Sequence, residues 1–373
     1  MEPAPAVTEP LRVLIAGWLN SPHVISWAES VAAAGHEVHF AGRVPPGPAR
    51  IEGANVYELS ADGPPVLRSL RMSRALAEVA DRVQPDLIHA HWLPEFGWMA
   101  AREGLHPLIC SAWGSDIFGT RGIGRQRSKR ALGGSDLVTA DSVHLARATR
   151  ELAGRDVPIE VVRWGLDLER FAPGSTLAAR EALGLASDGP LVVSVRGFKA
   201  VYNVDLQLRA FDRFKEGRPG AHLLLKSPDG SIPPTLRTTI GGMGLEEAVT
   251  VLGDLPPERM PDVYRAADVV ISIPSSDSSP RSVWEALACG RNVVVSDLPW
   301  ARDELEDGRH AVLTPLEVDT IAAAIERAFG DDRLGAEGRA LAQAELDPAE
   351  CTARIDALYR SVVESSLRRA TSR

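Results

Sequence analysis

Two acidic residues, Asp277 and Glu285, stand eight positions apart on either side of a predicted helix start. The surrounding residues 268–297, DVVISIPSSDSSPRSVWEALACGRNVVVSD, predict a buried strand, a small polar loop, a helix and a second strand. Ser279 is of a type that caps helices, and Gly290 suits a left-handed helix end. The pattern therefore predicts Asp277 in the loop before the helix and Glu285 on the helix itself.

The chemistry open to these acids depends on where the loop lies. In a doubly wound parallel sheet, a loop beyond the carboxyl end of a strand opens onto the ligand crevice, and a helix N-terminus there attracts phosphate. A carboxylate beside that phosphate is repelled unless it binds hydroxyl groups, which sugars and riboses supply. From the residues alone, two interpretations stay open: a site for a sugar or nucleotide, and ordinary helix capping.

The rest of the chain predicts the parallel sheets that such a loop requires. Short apolar runs alternate with helical patterns along the 373 residues, and this alternation is typical of parallel sheets covered by helices on both faces. The alternation restarts after a stretch containing Pro and Gly, FAPGS, at residues 171–175. We expect an α/β fold with two doubly wound, Rossmann-like domains, residues 1–172 and 173–346, and a C-terminal helix at 347–373.

Composition and charge exclude several classes of protein. A net charge of −9 argues against a nucleic-acid partner, because nucleic-acid phosphates require a basic surface. The opening residues MEPAPAVTEP contain no apolar core of a signal peptide and are expected to form a loose tail. Three widely separated cysteines predict neither disulfides nor a zinc site, and no D-x-D triplet occurs. We expect a cytoplasmic protein that uses no metal and no cofactor.

The segment around Asp277 and Glu285 resembles the acid–x7–acid motif of the retaining GT-B glycosyltransferases of family 4. The resemblance implies that Asp277 contacts the sugar of a nucleotide-sugar donor and that Glu285 contacts its ribose. It also implies that Ser279, Arg281 and Ser282 bind the donor at the start of the helix. Family members more often have Glu at the first position, so the Asp277 carboxylate reaches one methylene less far.

Two further segments of the C-terminal half resemble the donor site of this family. LVVSVRGFKAVYN is similar to the segment whose arginine and lysine bind the donor diphosphate, which implies this role for Arg196 and Lys199. VTVLGD is similar to the base-binding strand, so the backbone at Val251 and Gly253 is expected to face the nucleobase. One preorganised hydrogen-bond donor beside a leaving group contributes about a hundred- to a thousandfold in reaction rate. Solvated surface charge is the alternative explanation for the two cations.

The N-terminal half resembles the acceptor domain of the same family. VLIAGWLNSPHVISW is similar to its first strand and loop, which implies that Gly17 and His23 lie beside the acceptor. PLICSAWGSDIF aligns with the stretch where many members carry a catalytic histidine, but Trp113 takes that position here, followed by Asp116 in the same loop. His91, in the run IHAHW, is another candidate polar group, and a packed structural histidine is the alternative.

Together these resemblances imply a GT-B enzyme that moves a sugar from a UDP- or GDP-sugar to an acceptor hydroxyl, with retention of configuration. The acceptor is expected to be a carbohydrate, a lipid-linked compound or a small molecule, in the synthesis of a surface polysaccharide or glycoconjugate. The last helix is implied to cross back onto the N-terminal domain. Two rival hypotheses stay open: a sugar-nucleotide epimerase of the same fold, and a non-catalytic nucleotide-sugar binding protein, which Trp113 and Asp277 motivate.

One basic segment, Arg121–Arg130, is not explained by the resemblance. It reads RGIGRQRSKR and contains five basic side chains in an otherwise acidic protein. A solvated helix face is the simplest interpretation. The alternatives are a site for an anionic acceptor and peripheral attachment to anionic lipid at the inner membrane face, where each Lys or Arg contributes about 1 kcal/mol.

Overall fold

The computed structural model describes residues 9–43, 51–60, 62–185, 188–227 and 231–371. Of the tail predicted at residues 1–10, residues 1–8 lie outside the described residues. The chain divides into two compact units, each with its own sheet. Unit 1 comprises Met1–Gly165 and Pro348–Arg373, and unit 2 comprises Leu166–Asp347.

A seven-stranded parallel sheet forms the centre of unit 1. Its strands are β1 (Arg12–Trp18), β2 (Glu37–Arg43), β3 (Ala54–Glu58), β4 (Leu87–His91), β5 (Leu108–Ser111), β6 (Leu137–Ala140) and β7 (Ile159–Val161). They are ordered β3-β2-β1-β4-β5-β6-β7. The helices are α1 (Pro22–Ala33), α2 (Pro65–Val83), α3 (Trp98–Arg102), α4 (Gly114–Phe118), α5 (Gly122–Gly134) and α6 (Val143–Ala153), with a π-helical turn at Trp92–Gly97.

A six-stranded parallel sheet forms the centre of unit 2. Its strands are β8 (Leu191–Ser194), β9 (His222–Lys226), β10 (Val249–Leu252), β11 (Val269–Ser272), β12 (Asn292–Ser296) and β13 (Val312–Thr314), ordered β10-β9-β8-β11-β12-β13. Its helices are α7 (Thr176–Ala182), α8 (Val204–Lys215), α9 (Pro234–Gly242), α10 (Met260–Ala266), α11 (Arg281–Ala288), α12 (Pro299–Glu304), α13 (Val318–Ala328) and α14 (Asp332–Glu345), with 3-10 turns at Ala200–Tyr202 and Pro257–Arg259. None of the helices within the described ranges has the length and apolarity needed to cross a membrane.

The apolar strands are buried on both faces, as a parallel sheet requires. In β1, Leu14 and Ala16 pack into one apolar cluster, while Val13 and Ile15 pack into another. Successive side chains of a strand point to opposite faces, so the two clusters lie on opposite sides of the sheet. This explains why the strands appear in the sequence as continuous apolar runs without polar alternation.

The last helix, α15 (Pro348–Thr371), belongs to unit 1 although it follows unit 2 in the chain. Its Tyr359 side chain is fully buried. The Tyr359 hydroxyl accepts a hydrogen bond from Trp27 Nε1 at 2.7 Å and hydrogen-bonds with His89 Nδ1 at 2.7 Å. Buried polar contacts therefore anchor α15 to helix α1 and strand β4.

The boundary between the units lies at Gly165 and Leu166, before the predicted position at 172/173. Leu166 and Phe171 are buried in the core of unit 2. The Leu166 amide also donates to the Leu346 carbonyl at 3.1 Å, which ties the first residue of this unit to one of its last. The FAPGS stretch therefore begins with a core residue of unit 2, and its Pro and Gly lie inside that unit, before α7.

Candidate functional site

The strand order of unit 2 identifies one edge of its sheet as the expected ligand site. The chain lays down β8, β9 and β10 in one direction, then places β11, β12 and β13 on the other side of β8. In open parallel sheets, ligands bind at the carboxyl ends of the strands where the order reverses. Arg196 and Asp277 lie in the loops that follow β8 and β11, so both flank this position.

Arg196 connects these two loops directly. Its Nη2 donates to Asp277 Oδ2 at 2.7 Å, its Nη1 donates to Ser282 Oγ at 3.1 Å, and its guanidinium carbon lies 4.4 Å from the Tyr202 ring centroid. The Arg196 and Asp277 side chains are only 15% and 17% exposed. The guanidinium is therefore held in place, and its planar fork matches the geometry of phosphate oxygens.

Backbone contacts also hold the two loops together. The Ser275 amide donates to the Val201 carbonyl at 2.8 Å. The Asn203 side-chain amide donates to the Ile273 carbonyl at 2.9 Å, while Asn203 itself has φ 51°, in the left-handed region that Asn tolerates better than most residues. The loop after β8 is thus fixed to the loop that carries Asp277.

Glu285 accepts hydrogen bonds on both of its carboxylate oxygens. The Tyr264 hydroxyl donates to Oε2 at 2.6 Å, and Arg281 Nε donates to Oε1 at 3.1 Å. Tyr264 is fully buried and lies on α10. The sequence pattern did not identify it as a residue of the site. Its only signal was an aromatic residue on the apolar face of the helix before the motif, a position that core packing explains equally well.

Burial opposes ionisation of both predicted acids. Burial raises the pKa of Asp277, whereas the charge of Arg196 and a hydrogen bond from the Ser278 amide lower it. Burial also raises the pKa of Glu285, and the charge of Arg281 acts in the opposite direction. Each acid therefore sits in a desolvated position beside a cation, which is characteristic of functional sites.

Ser279 does not cap α11, contrary to the sequence prediction. The residue before the first helical turn is Pro280, and no side-chain hydrogen bond caps that turn. Ser279 instead has φ 123°, its hydroxyl accepts from Trp284 Nε1 at 2.8 Å, and it donates to Glu304 Oε2 at 2.8 Å. These two partners hold the loop in a left-handed conformation and leave the first amides of α11 without a side-chain cap.

The structure does not join the other predicted donor residues to this cluster. Lys199 is exposed and immediately precedes the 3-10 turn at Ala200–Tyr202. Val251 is half-buried in the edge strand β10, where it pairs with Leu225 of β9, and Gly253 follows that strand. The roles predicted for Lys199, Val251 and Gly253 are contacts with the ligand itself, and these roles do not require contact with Arg196 or Asp277.

In unit 1, four of the five predicted acceptor residues lie close together. The His23 ring centroid lies 5.6 Å from that of Trp113, and the His91 centroid lies 6.1 Å from it. A Cβ at Gly17 would lie 3.6 Å from the His91 Cβ. The sequence interpretation missed Trp164, whose centroid lies 4.3 Å from that of His23 and which reaches the cluster from beyond β7.

His91 and Trp113 retain unused hydrogen-bonding atoms in this cluster. Both ring nitrogens of His91 and Trp113 Nε1 are buried without a hydrogen-bond partner among the described residues. Burial, reinforced by the charge of His23, lowers the pKa of His91 to about 3, so the imidazole is neutral at physiological pH. Buried polar atoms of this kind normally find a partner. They give the cluster the means to bind a hydroxyl group.

Asp116 has a different position from the one predicted. It is fully buried, and burial raises its pKa to about 8. Its Oδ2 accepts from the Leu93 amide at 3.0 Å, and its Oδ1 accepts from the Trp113 amide at 2.8 Å. Because both oxygens bind backbone, Asp116 fixes the π-helical turn and the start of α4.

His89, beside His91 in β4, is a structural residue. Its Nδ1 hydrogen-bonds with Tyr359, and its Nε2 hydrogen-bonds with Ser111 Oγ at 2.8 Å. Its ring also stacks on His91 at a centroid distance of 4.4 Å.

Across the described ranges, no group of three or more His, Cys, Asp and Glu side chains is arranged to hold a metal ion.

Comparisons with known proteins agree with this division of the chain. The family described as "Glycosyl transferases group 1" matches residues 176–342, which lie in unit 2. The family described as "Glycosyl transferase 4-like" matches residues 12–142, which lie in unit 1.

Solved structures define the class of fold. Sucrose-phosphate synthase from Thermosynechococcus elongatus has a TM-score of 0.83 at 20% identity, over 95% of this chain and 100% of that one. Anabaena HepE in complex with UDP-glucose has a TM-score of 0.77 at 18% identity, over 94% of this chain and 100% of that one. Two parallel α/β units of the Rossmann-like kind with these neighbours define the GT-B class, as predicted.

Relatives in sequence narrow the class to a family. A D-inositol 3-phosphate glycosyltransferase of Nocardia farcinica is 33% identical over 282 residues, which are 69% of this chain and 62% of that protein. One from Rhodococcus erythropolis is 33% identical over 57% of this chain and 52% of that protein. The chain thus spans between half and two thirds of the length of these relatives. It belongs to the group 1 glycosyl transferases.

Proposed function

We propose that this chain transfers a sugar from a nucleoside-diphosphate sugar, bound by unit 2, to a hydroxyl group of an acceptor. The observation that carries the proposal is the half-buried cluster of Arg196 with Asp277 and Ser282, at the reversal point of the parallel sheet. Arginine recognises phosphate, and a carboxylate recognises sugar hydroxyls. The HepE structures, which contain UDP or UDP-glucose, support the choice of donor class by their shared fold.

The diphosphate is proposed to bind between Arg196, Lys199 and the first turn of α11. Negative charge develops on the leaving diphosphate as the glycosidic bond breaks, so fixed cations and helix amides stabilise that transition state. Arg196 is already oriented by three side chains and loses little freedom on binding. Exposed Lys199 supplies a second charge, and the Ser282 hydroxyl lies next to the guanidinium.

The two acids are proposed to bind the hydroxyl groups of the donor. Asp277 contacts the sugar, and Glu285 contacts the ribose with its carboxylate held by Tyr264 and Arg281. The backbone at Val251 and Gly253 contacts the base. A UDP- or GDP-sugar is the expected donor.

Transfer is proposed to retain the anomeric configuration and to need no metal ion. The acceptor oxygen forms the new bond to the anomeric carbon as the bond to the diphosphate breaks, and a diphosphate oxygen takes the acceptor proton on the same face. This mechanism requires no protein nucleophile. Arg196 and Lys199 then supply the positive charge that a metal ion supplies elsewhere.

The acceptor is proposed to bind unit 1 at the cluster of His23, His91, Trp113 and Trp164. Aromatic faces suit the apolar faces of a sugar or cyclitol ring, and the unused ring nitrogens suit its hydroxyls. The sequence relatives named for D-inositol 3-phosphate favour a small polyol acceptor. Carbohydrate and lipid-linked acceptors of polysaccharide or glycoconjugate synthesis are the other candidates.

A thermal-shift panel of UDP, GDP, ADP and their sugar conjugates, run in EDTA, tests the donor site. One nucleotide class at 100 times its dissociation constant is expected to stabilise the wild type by about 2.7 kcal/mol. Glu285→Ala is expected to reduce that shift strongly, whereas Glu247→Ala, which removes an exposed acid of the same unit, leaves it unchanged. Absence of a shift with every nucleotide would refute the donor site.

A further inference from the structure

Helix α5 and the residue before it carry four exposed basic side chains. Arg121, Arg125, Lys129 and Arg130 are exposed. Among the residues that the structure describes, none of them forms an ion pair with a carboxylate, whereas exposed arginines elsewhere do, as Arg209 does on α8. The helix contains no acidic residue. Unpaired like charges repel one another, so the segment is stabilised when it meets a negatively charged surface.

Exposed apolar side chains lie beside these cations. Ile123, in the first turn of α5, is 72% exposed, and Phe118, the last residue of α4, is 38% exposed. The Phe118 ring stacks on His144, which follows Val143, itself 45% exposed. Single exposed apolar residues are common, but large apolar side chains among Lys and Arg are typical of surfaces that lie on anionic membranes.

The opposite face of α5 is fixed in the core of unit 1. Ser128 is fully buried, and its hydroxyl donates to the Asp116 carbonyl at 3.3 Å. Ala131 and Leu132 are also fully buried. The basic residues are therefore held outward by a rigid element, which lowers the entropic cost of binding a flat surface.

An open groove runs beside this face. Its volume is about 570 Å³, and it is lined by Trp98, Gly122, Ile123, Gln126, Arg127 and Arg130. The Arg127 guanidinium lies 4.1 Å from the Trp98 ring centroid. Tryptophan with an adjacent cation suits the boundary between lipid headgroups and acyl chains.

We propose that the α5 surface, made of Arg121, Ile123, Arg125, Lys129 and Arg130, binds bilayers that contain anionic phospholipid. The cations contact the headgroup phosphates, and Ile123 enters the acyl boundary. Charge and apolar insertion act together, since either signal alone gives weak, reversible binding. The proposal is independent of the donor site, so Asp277→Asn is expected to bind vesicles as the wild type does.

Vesicle sedimentation tests the proposal. The full chain is expected to pellet with phosphatidylglycerol/phosphatidylcholine vesicles and not with pure phosphatidylcholine, and to be released by salt. The variant Arg125→Gln/Lys129→Gln is expected to bind about thirtyfold more weakly, because each cation contributes about fivefold. The matched control Arg74→Gln/Arg237→Gln removes two exposed charges on other helices and is expected to bind normally.

A second variant and a competitor separate lipid binding from other causes. Ile123→Ser keeps every charge and is expected to weaken binding to the anionic vesicles several-fold. Inorganic phosphate at constant ionic strength is expected to leave binding unchanged. Equal pelleting with neutral vesicles, full binding by the α5 double variant, or displacement by phosphate would each overturn the proposal, the last by showing a site for small anions.

Discussion

The hydrogen bond from Tyr264 to Glu285 gives a prediction whose size follows from its geometry. The bond is 2.6 Å long, its donor is fully buried, and the carboxylate is 14% exposed. A hydrogen bond to a charged group contributes about 1.5–3 kcal/mol. Tyr264→Phe keeps the ring and removes only the hydroxyl, so we expect the free energy of unfolding to fall by about that amount at pH 8.

The same variant predicts a dependence on pH. The tyrosine hydrogen bond lowers the pKa of Glu285 against the effect of burial, which raises it. Without the hydroxyl the folded-state pKa of Glu285 rises further, so the folded variant holds its proton more tightly than the wild type. Relative to the wild type, the variant therefore loses free energy of unfolding as the pH rises through the range in which Glu285 ionises. The penalty of Tyr264→Phe is expected to be larger at pH 8 than at pH 4.5.

Urea unfolding followed by far-UV circular dichroism at both pH values measures the effect. Tyr202→Phe is the matched control, because its ring also lies at the site and keeps its contact with Arg196, and we expect a change under about 0.5 kcal/mol. A penalty for Tyr264→Phe no larger than that of the control, or one that grows as pH falls, would refute the assigned role of this hydrogen bond.

Three other predictions concern unit 1. Tyr359→Phe removes the hydroxyl that joins α15 to Trp27 and His89, and should lower the free energy of unfolding by about 1–3 kcal/mol in urea titrations; an unchanged value would contradict the anchoring role. The folded-state pKa of His91 is about 3, far below the ordinary value of 6.5. The unfolded chain therefore binds more protons than the folded chain below pH 6.5, and the free energy of unfolding decreases as the pH is lowered. This loss between pH 7.5 and 5 should be about 2 kcal/mol smaller in His91→Gln, and equal losses would show that His91 is not buried as described. Asp116→Ala removes the acceptor of two backbone amides and should cost about 2–4 kcal/mol of stability, whereas Asp62→Ala on the surface should cost under about 0.5 kcal/mol.

The features that the sequence predicted best are those set by local pattern. Continuous apolar runs such as β12 predicted buried parallel strands, and the reversal of strand order then places the Asp277 loop at the ligand edge. Gly290, with φ 67°, occupies the left-handed position at the end of α11 as expected. Periodicity and residue type suffice for these features, because each depends on neighbours within a few positions.

The features that the sequence did not predict depend on distant contacts. The partner of Ser279 is Glu304, 25 positions later, and nothing near Ser279 indicates that this contact replaces helix capping. Trp164 reaches the histidine cluster from beyond the last strand of its sheet. The sequence predicts Asp116 in a loop beside the acceptor, whereas its carboxylate accepts a hydrogen bond from the amide of Leu93, 23 positions earlier. Such pairings follow from the assembled fold, not from local spacing.

Product analysis tests the proposed glycosyl transfer itself. The wild type and Asp277→Asn are incubated with the nucleotide sugar identified by thermal shift and a pool of polyols, inositol phosphates and saccharides, and products are followed by mass spectrometry and anomeric NMR. The wild type is expected to form a glycosylated acceptor that keeps the donor's anomeric configuration, and Asp277→Asn is expected to form far less. An epimerised donor or free sugar without transfer, or donor binding with no turnover by any acceptor, would contradict it.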